Sequence, residues 1–164
     1  AKLRSLVDRL VLGASIALVS DAGTPAISDP GYLLVVGAIK SGIMVVAIPG
    51  VTACISAASV SGMPLHNFAF EGFLSSKSGK RKRKLAKLHQ DERTMIFYES
   101  PLRLLKTIKD FKNIFGNERA VSISREISKI YEETINGSLL EAYNILLEKK
   151  VKGEIVIILK GYKK

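Results

Sequence analysis

Ser15-Ile16-Ala17-Leu18-Val19-Ser20-Asp21-Ala22-Gly23-Thr24-Pro25 begins as a β-prone apolar run and ends in a turn-rich segment. The residues after Pro25 set the fold class. Asp29-Pro30 reads as a helix N-cap with proline in the first helical position, and the helix is predicted to run to about Lys40. Gly42 ends that helix, Met44 to Ile48 forms a second apolar strand, Pro49-Gly50-Val51-Thr52 turns, and the small residues Ala53 to Ser61 make a further helix. Strand, loop, helix, strand, loop, helix is the pattern of a parallel sheet covered on both faces. Upstream, Leu3, Leu6, Val7, Leu10 and Val11 recur at helical spacing and predict an amphipathic opening helix.

The texture changes after Gly62-Met63-Pro64, which places a boundary near His66 and divides the chain into lobes 1–65 and 66–164. The second lobe is predicted as strand Phe68 to Phe70, basic helix Lys80 to His89, strand Thr94 to Tyr98 and helix Leu102 to Phe111. Strands Ala120 to Ser124 and Tyr131 to Asn136, helix Leu139 to Lys149 and strand Glu154 to Leu159 complete it. The last strand is apolar after its first residue and is expected inside a sheet. The chain is therefore read as two-lobed α/β, mostly parallel in the first lobe and mixed in the second.

Composition narrows the partners. With 25 Lys and Arg against 15 Asp and Glu, the formal charge is +10, which attracts polyanions at long range. The cations concentrate at Lys77, Lys80, Arg81, Lys82, Arg83, Lys84 and Lys87, with no acid between Glu71 and Asp91. Such a run either binds phosphates without sequence preference or lies on a solvated helix face. Phe68, Phe70 and Phe73 alternate nearby and read as core rather than as a base-stacking platform. Cys54 is the sole cysteine, so no internal disulfide forms and a reducing compartment is expected. Its apolar and small neighbours indicate an inert buried thiol. Two histidines, His66 and His89, and no second cysteine fall short of a zinc site, and no metal is expected. The longest apolar run, Gly31 to Ile39, falls short of the roughly 20 residues that span a bilayer. The first residue is Ala rather than Met, so the chain is expected to begin inside a larger protein.

Ligands of open α/β sheets bind beyond the carboxyl ends of the strands. Two loops fall there. In Asp21-Ala22-Gly23-Thr24-Pro25, glycine allows close backbone approach while Asp21 and Thr24 offer hydrogen bonds. In Pro49-Gly50-Val51-Thr52-Ala53, a tight turn meets a helix start whose free N–H groups suit a carboxylate. Neither is a dinucleotide or P-loop pattern, and each is also compatible with a plain connection. Tyr98-Glu99-Ser100-Pro101 and Ser124-Arg125-Glu126 come directly after strands, where catalytic groups are often mounted; a surface Arg125–Glu126 ion pair is the alternative.

Together these segments resemble one family. The stretch from Val19 to Gly31 resembles the signature of the ribosomal RNA small subunit methyltransferase I family, within the tetrapyrrole methylase superfamily. Pro49 to Ala53, Phe70-Glu71-Gly72-Phe73-Leu74, Phe97 to Pro101, Ser124 to Glu126 and Lys152-Gly153-Glu154 agree in order and spacing. The resemblance implies a two-lobed fold with S-adenosylmethionine in the cleft between lobes, held by Asp21, Ala22, Gly23, Thr24, Ile27, Pro49, Gly50, Thr52, Ala53 and Tyr98. It implies 2′-O-methylation of a cytidine in 16S rRNA on the small ribosomal subunit, with Glu99 and Glu126 as the candidate catalytic carboxylates. Lys77, Lys80, Arg81, Lys82, Arg83, Lys84, Arg103 and Arg125 would meet the RNA. A cytoplasmic homodimer, free of membrane, is implied as well. A tetrapyrrole or protein acceptor, and a non-catalytic RNA-binding fragment, are the competing readings; a basic regulatory or nuclear-targeted module rests on the lysine run alone. Two departures stand out. The family usually reads Tyr-Glu-Ser-Pro-His-Arg, and Leu102 stands where the histidine would be. The family's first strand and its Thr-Pro-Ile-Gly-Asn motif would lie upstream of this sequence, so the chain is expected to be an incomplete enzyme.

Overall fold

A computed structural model describes residues 2–163. The chain divides into two compact units, Ala1–Thr52 and Ala53–Lys164. The first holds helices α1 (Lys2–Val11) and α2 (Tyr32–Lys40). They pack together, and the reason is visible at Gly37, where a Cβ would stand 2.8 Å from a Val7 methyl. The expected cap of α2 moves two residues along the chain: Gly31, at φ 133°, is the N-cap, and no side chain caps the helix.

The parallel sheet expected in the first lobe does not form among the described residues. Neither Ser15–Val19 nor Met44–Ile48 is a strand, and Val19, Met44, Val46 and Ile48 are exposed. A β-prone run becomes a strand only where a neighbour takes up its N–H and C=O groups. Propensity supplies the extended shape and not the partner.

The second unit is built on one mixed sheet. Its elements are α3 (Ala53–Val60), β1 (Phe68–Phe73), α4 (Ser78–Lys87), β2 (Thr94–Glu99) and α5 (Leu104–Phe115). They continue as β3 (Ala120–Arg125), β4 (Glu133–Ser138), α6 (Leu139–Glu148) and β5 (Ile155–Leu159). Strand order is β1-β2-β5-β3-β4, with β1 parallel to β2 and every other pairing antiparallel. β5 lies at the centre and all five of its residues are buried, as its uniform apolarity requires. One sheet face carries Phe97 and Ile157 against α5 and α6, with Phe97 and Phe111 edge-to-face at 5.1 Å. The opposite face carries Ile96, Val156 and Ile158 against Cys54, Ala57 and Ala58 of α3, whose small side chains let the helix approach closely. Cys54 is buried there, as expected. α3 thus belongs with the sheet, and the units divide upstream of the change in texture at His66.

Two loop details place the site. The pairing of β1 with β2 slips between Phe70 and Gly72, with Gly72 at φ 63°. This bulge keeps Phe70 and Phe73 both against Tyr98, at centroid distances of 5.1 and 5.5 Å. α5 starts at Leu104 because residues 100–103 form a turn, with the N–H groups of Arg103 and Leu104 both donating to Ser100 O.

Candidate functional site

The topology gathers the chemistry of the second unit at one end of its sheet. The carboxyl ends of β1, β2 and β3 point the same way, and the antiparallel β4 and β5 begin there. Phe73, Glu99, Arg125, Glu133 and Glu154 therefore share that end, together with the loops that contain Leu102, Arg103, Glu126 and Lys129.

Glu99 is 3% exposed and its carboxylate is fully engaged. It accepts from Ser100 N–H at 2.7 Å, from the Thr107 hydroxyl at 2.6 Å and from Arg103 at 2.6 Å. Arg103 also donates to Leu74 O at 3.3 Å. Glu99 thus ties the end of β2 to α5 and orients Arg103, which ties the end of β1 in turn. Arg103, expected to meet RNA, is committed to these two partners.

Glu126 sits differently. It is a non-glycine residue at φ 51°, a left-handed backbone that L-residues adopt at a cost. Its N–H donates to Glu154 O, and its carboxylate accepts from Glu154 N–H, both at 2.9 Å. Lys129 bridges Glu126 at 3.0 Å and Glu154 at 2.9 Å. The Glu154 N–H first, and Lys129 second, hold the Glu126 carboxyl below the usual carboxylate range, while the two carboxylates raise Lys129. Arg125 donates to Glu133 at 2.9 Å, and Lys149 meets the same carboxylate. Lys149 and then Arg125 lower Glu133. Sequence reasoning missed the parts that Lys129, Gly153 and Glu154 play around Glu126. Two signals could have found them: a lysine three residues after Glu126, and a Gly-Glu pair at the start of β5.

The basic helix does not present all its cations. Arg81 is 5% exposed and its guanidinium grips Asp110 of α5 at 2.7 and 2.8 Å. This corrects its expected place on an RNA surface: the α4 phase that buries Leu85 also turns Arg81 inward. Lys84 binds the Glu71 carboxylate at 2.9 Å and Glu71 O at 2.9 Å. Lys77, Lys80, Lys82, Arg83 and Lys87 are exposed. Phe68 and Phe73 are partly exposed too, so the alternating aromatics are only in part core; Phe70 is the one packed inward.

In the first unit, Asp21, Ala22, Gly23, Thr24 and Ile27 share one loop. Ile27 is about half exposed. That loop is conformationally costly. Gly23 (φ 68°), Ala26 (φ 68°), Ser28 (φ 57°) and Gly31 (φ 133°) have positive φ, two of them with a side chain to accommodate. The Ser20 hydroxyl donates to Ala22 O at 3.2 Å, and Ile27 N–H closes a turn onto Thr24 O at 3.2 Å. Pro49 and Gly50 are exposed in irregular backbone, with no turn where one was expected, Thr52 is half-buried, and Ala53 opens α3 in the second unit. Tyr98, also expected at the cofactor, is half-buried between Phe70 and Phe73. From residue 10 to residue 76 the sequence has Lys40 as its sole Lys or Arg, in a chain of net charge +10. A cationic sulfonium fits a loop of backbone amides, small residues and Asp21 with no Lys or Arg in its own sequence. No group of His, Cys, Asp and Glu among the described residues is arranged to hold a metal, and no described helix is long and apolar enough to cross a membrane.

The profile of the family described as Tetrapyrrole (Corrin/Porphyrin) Methylases matches residues 1–143. Over 158 residues the chain is 49% identical to ribosomal RNA small subunit methyltransferase I of Halalkalibacterium halodurans, covering 96% of this chain and 54% of that protein. Over 164 residues it is 46% identical to the protein of the same name from Vibrio cholerae, covering 99% and 57%. The chain thus spans a little over half the length of these relatives. Among solved structures, cobalt precorrin-4 methyltransferase CbiF has the same fold, at a TM-score of 0.69 and 17% identity, over 97% of this chain and 69% of that one.

Proposed function

This chain belongs to the tetrapyrrole (corrin/porphyrin) methylase family, and from that premise we propose that it is part of an S-adenosylmethionine-dependent methyltransferase that modifies the 2′-oxygen of a cytidine in 16S rRNA. The observation that carries the reading is the 49% identity to a ribosomal RNA small subunit methyltransferase I, running over 96% of the chain.

The cofactor, when bound, supplies a methyl group already activated by positive sulfur. The protein's task is alignment, which brings acceptor oxygen, methyl and sulfur into line. Asp21, Ala22, Gly23, Thr24 and Ile27, with Pro49, Gly50 and Thr52 of the same unit, would hold the cofactor. The strained backbone of residues 23–31 keeps amides and small side chains set before the cofactor arrives. A ribose hydroxyl is a weak nucleophile and gains from an acceptor for its proton. Glu126 is the more open of the two candidate carboxylates; its lowered basicity suits orienting the hydroxyl more than removing its proton outright. Glu99 acts as a positioning residue through Arg103. Lys77, Lys80, Lys82, Arg83 and Lys87 anchor RNA phosphates. A homodimer and a cytoplasmic setting complete the reading.

The test is transfer of labelled methyl from S-adenosylmethionine to unmethylated small ribosomal subunits by the full-length protein. Label in the RNA is expected. Label in a porphyrinogen or a protein acceptor instead would move the substrate elsewhere in the superfamily, and binding of RNA with no transfer to any acceptor would leave a non-catalytic RNA-binding protein.

A further inference from the structure

The sheet end that carries Glu126 also carries large apolar side chains standing in solvent. Ile130 is 94% exposed, Tyr131 71% and Leu102 89%. Single exposed apolar residues are ordinary, but several on loops at one end of a sheet are candidates for a contact surface.

The loop between β3 and β4 is pinned. Glu126 and Ser128 both hold left-handed backbone, at φ 51° and 64°. The Glu132 carboxylate accepts from Ser128 N–H at 2.6 Å. Lys129 N–H donates to Glu126 O at 2.9 Å, and Glu132 N–H donates to Lys129 O at 3.1 Å. Lys129 then clamps the loop to the start of β5 through Glu154. A loop fixed this way loses little further entropy on binding, and its exposed apolar residues are Ile130 and Tyr131. Leu102 sits on the turn after β2. The ends of β2 and β3 are separated by β5 alone, about 10 Å at ordinary strand spacing.

Charge selects the partner. The carboxylates of Glu99 and Glu133 at this end have cationic side chains bound to them, Glu126 and Glu154 share Lys129, and Glu132, exposed beside Tyr131, has its carboxylate on Ser128 N–H. Lys152, just before β5, and Lys77 and Lys80, after β1, are exposed. An apolar, aromatic surface flanked by available cations matches unpaired nucleotides, whose bases stack and whose phosphates carry the opposite charge.

We propose that Leu102, Ile130 and Tyr131 form a base-contacting platform for unpaired RNA, with Tyr131 stacking on a base and Lys77, Lys80 and Lys152 taking the flanking phosphates. This rests on the reading that the acceptor is RNA, and it names the surface that would receive it.

The experiment measures binding of the full-length protein to an unstructured RNA oligonucleotide at several salt concentrations, beside methyl transfer to small subunits. Tyr131→Ala should weaken binding about tenfold, the loss of one base–aromatic stack, with an unchanged salt slope. Tyr131→Phe should bind as the parent does, Leu102→Ala and Ile130→Ala should each lose less, and Lys152→Gln should flatten the slope. All of these side chains are exposed, and the melting temperature confirms that each variant folds. Binding by Tyr131→Ala within about twofold of the parent would overturn the platform, because a stack contributes more than that. So would a Tyr131→Phe that fails as badly as the alanine, or a parent protein that binds no RNA. Methyl transfer decides the enzymatic reading separately: transfer with binding indifferent to Tyr131 removes the platform alone, and Tyr131-dependent binding without transfer removes the enzyme alone.

Discussion

A Cβ on Gly153 would collide with the carboxyl group of Glu126. Gly153 also has φ 90°, a backbone that side chains disfavour. The absent side chain is what lets Glu126 fold its carboxylate onto Glu154 N–H and Lys129. Gly153→Ala should therefore lower stability by about 1–3 kcal/mol, through overpacking and backbone strain together. Chemical denaturation of Gly153→Ala, Glu126→Ala and the double variant measures the coupling. The second substitution should cost much less once the first is present, and simple additivity would mean that the two residues do not interact.

Arg81 and Asp110 form a buried pair, and without Arg81 the Asp110 carboxylate keeps only Lys82, 3.7 Å away and exposed. Arg81→Ala should destabilise by about 2–4 kcal/mol, and Arg81→Met, which keeps volume but leaves Asp110 with Lys82 alone, should also lose stability. Replacing Lys80, Lys82 and Arg83 together by Gln should leave the melting temperature nearly unchanged and flatten the salt dependence of RNA binding. A salt slope that does not respond to the triple replacement would place α4 away from the RNA.

Glu99→Gln replaces a triple acceptor by a group with one acceptor oxygen. The amide oxygen can still accept from Ser100 N–H and Arg103, but an NH2 then faces the Thr107 hydroxyl and Arg103 loses its counter-charge, at a cost of about 1–3 kcal/mol seen in urea unfolding. Turnover per folded molecule should fall less than stability does. A large drop in turnover with stability intact would instead mark Glu99 as a group that meets the substrate.

Acid should weaken the fold. Glu133, Glu126, Glu141 and Asp91 all have carboxyls held below their ordinary values: Glu133 by Lys149, Glu126 by Glu154 N–H, Glu141 by Ser138 N–H and Asp91 by Arg93. A depressed folded value adds stability that is complete above the unfolded carboxylate range, about pH 4, and is lost as pH falls through the lowered values. Melting temperature should be flat from neutral pH to about pH 5 and decline below about pH 4. Glu133→Gln should make that decline shallower, and an equally steep decline in that variant would show that Glu133 does not contribute to it.

Much of the second unit was legible in the sequence because its elements carry their own periodicity. The run Ile155–Leu159 could lie only inside a sheet, and the Leu, Ile and Phe spacing of Leu104–Phe115 could bury only one stripe. Ends were less legible. Tyr131 has the residue type of a strand, yet β4 starts at Glu133, because the Glu126–Lys129–Glu132 hydrogen bonds fold the preceding residues into a loop. In the first unit, β-propensity at Ser15–Val19 and Met44–Ile48 predicted strands where pairing does not occur among the described residues.

The residue order by itself determined the α/β class, the alternation of elements from Phe68 onward and membership of the methylase family, because hydrophobic period and contiguous motifs are local properties of the chain. Only the tertiary structure decided which charges are spent inside the protein. Arg81 and Lys80 are adjacent and alike in sequence, and their fates diverge because one α4 face meets Asp110, 29 residues from Arg81 along the chain. Glu99 and Glu126 each come at the end of a strand, and they differ because Thr107 and Arg103 close over the first while a left-handed turn leaves the second partly open. Side-chain partners set by contacts distant along the chain leave no trace in local spacing, and those partners decide which residues remain for a ligand.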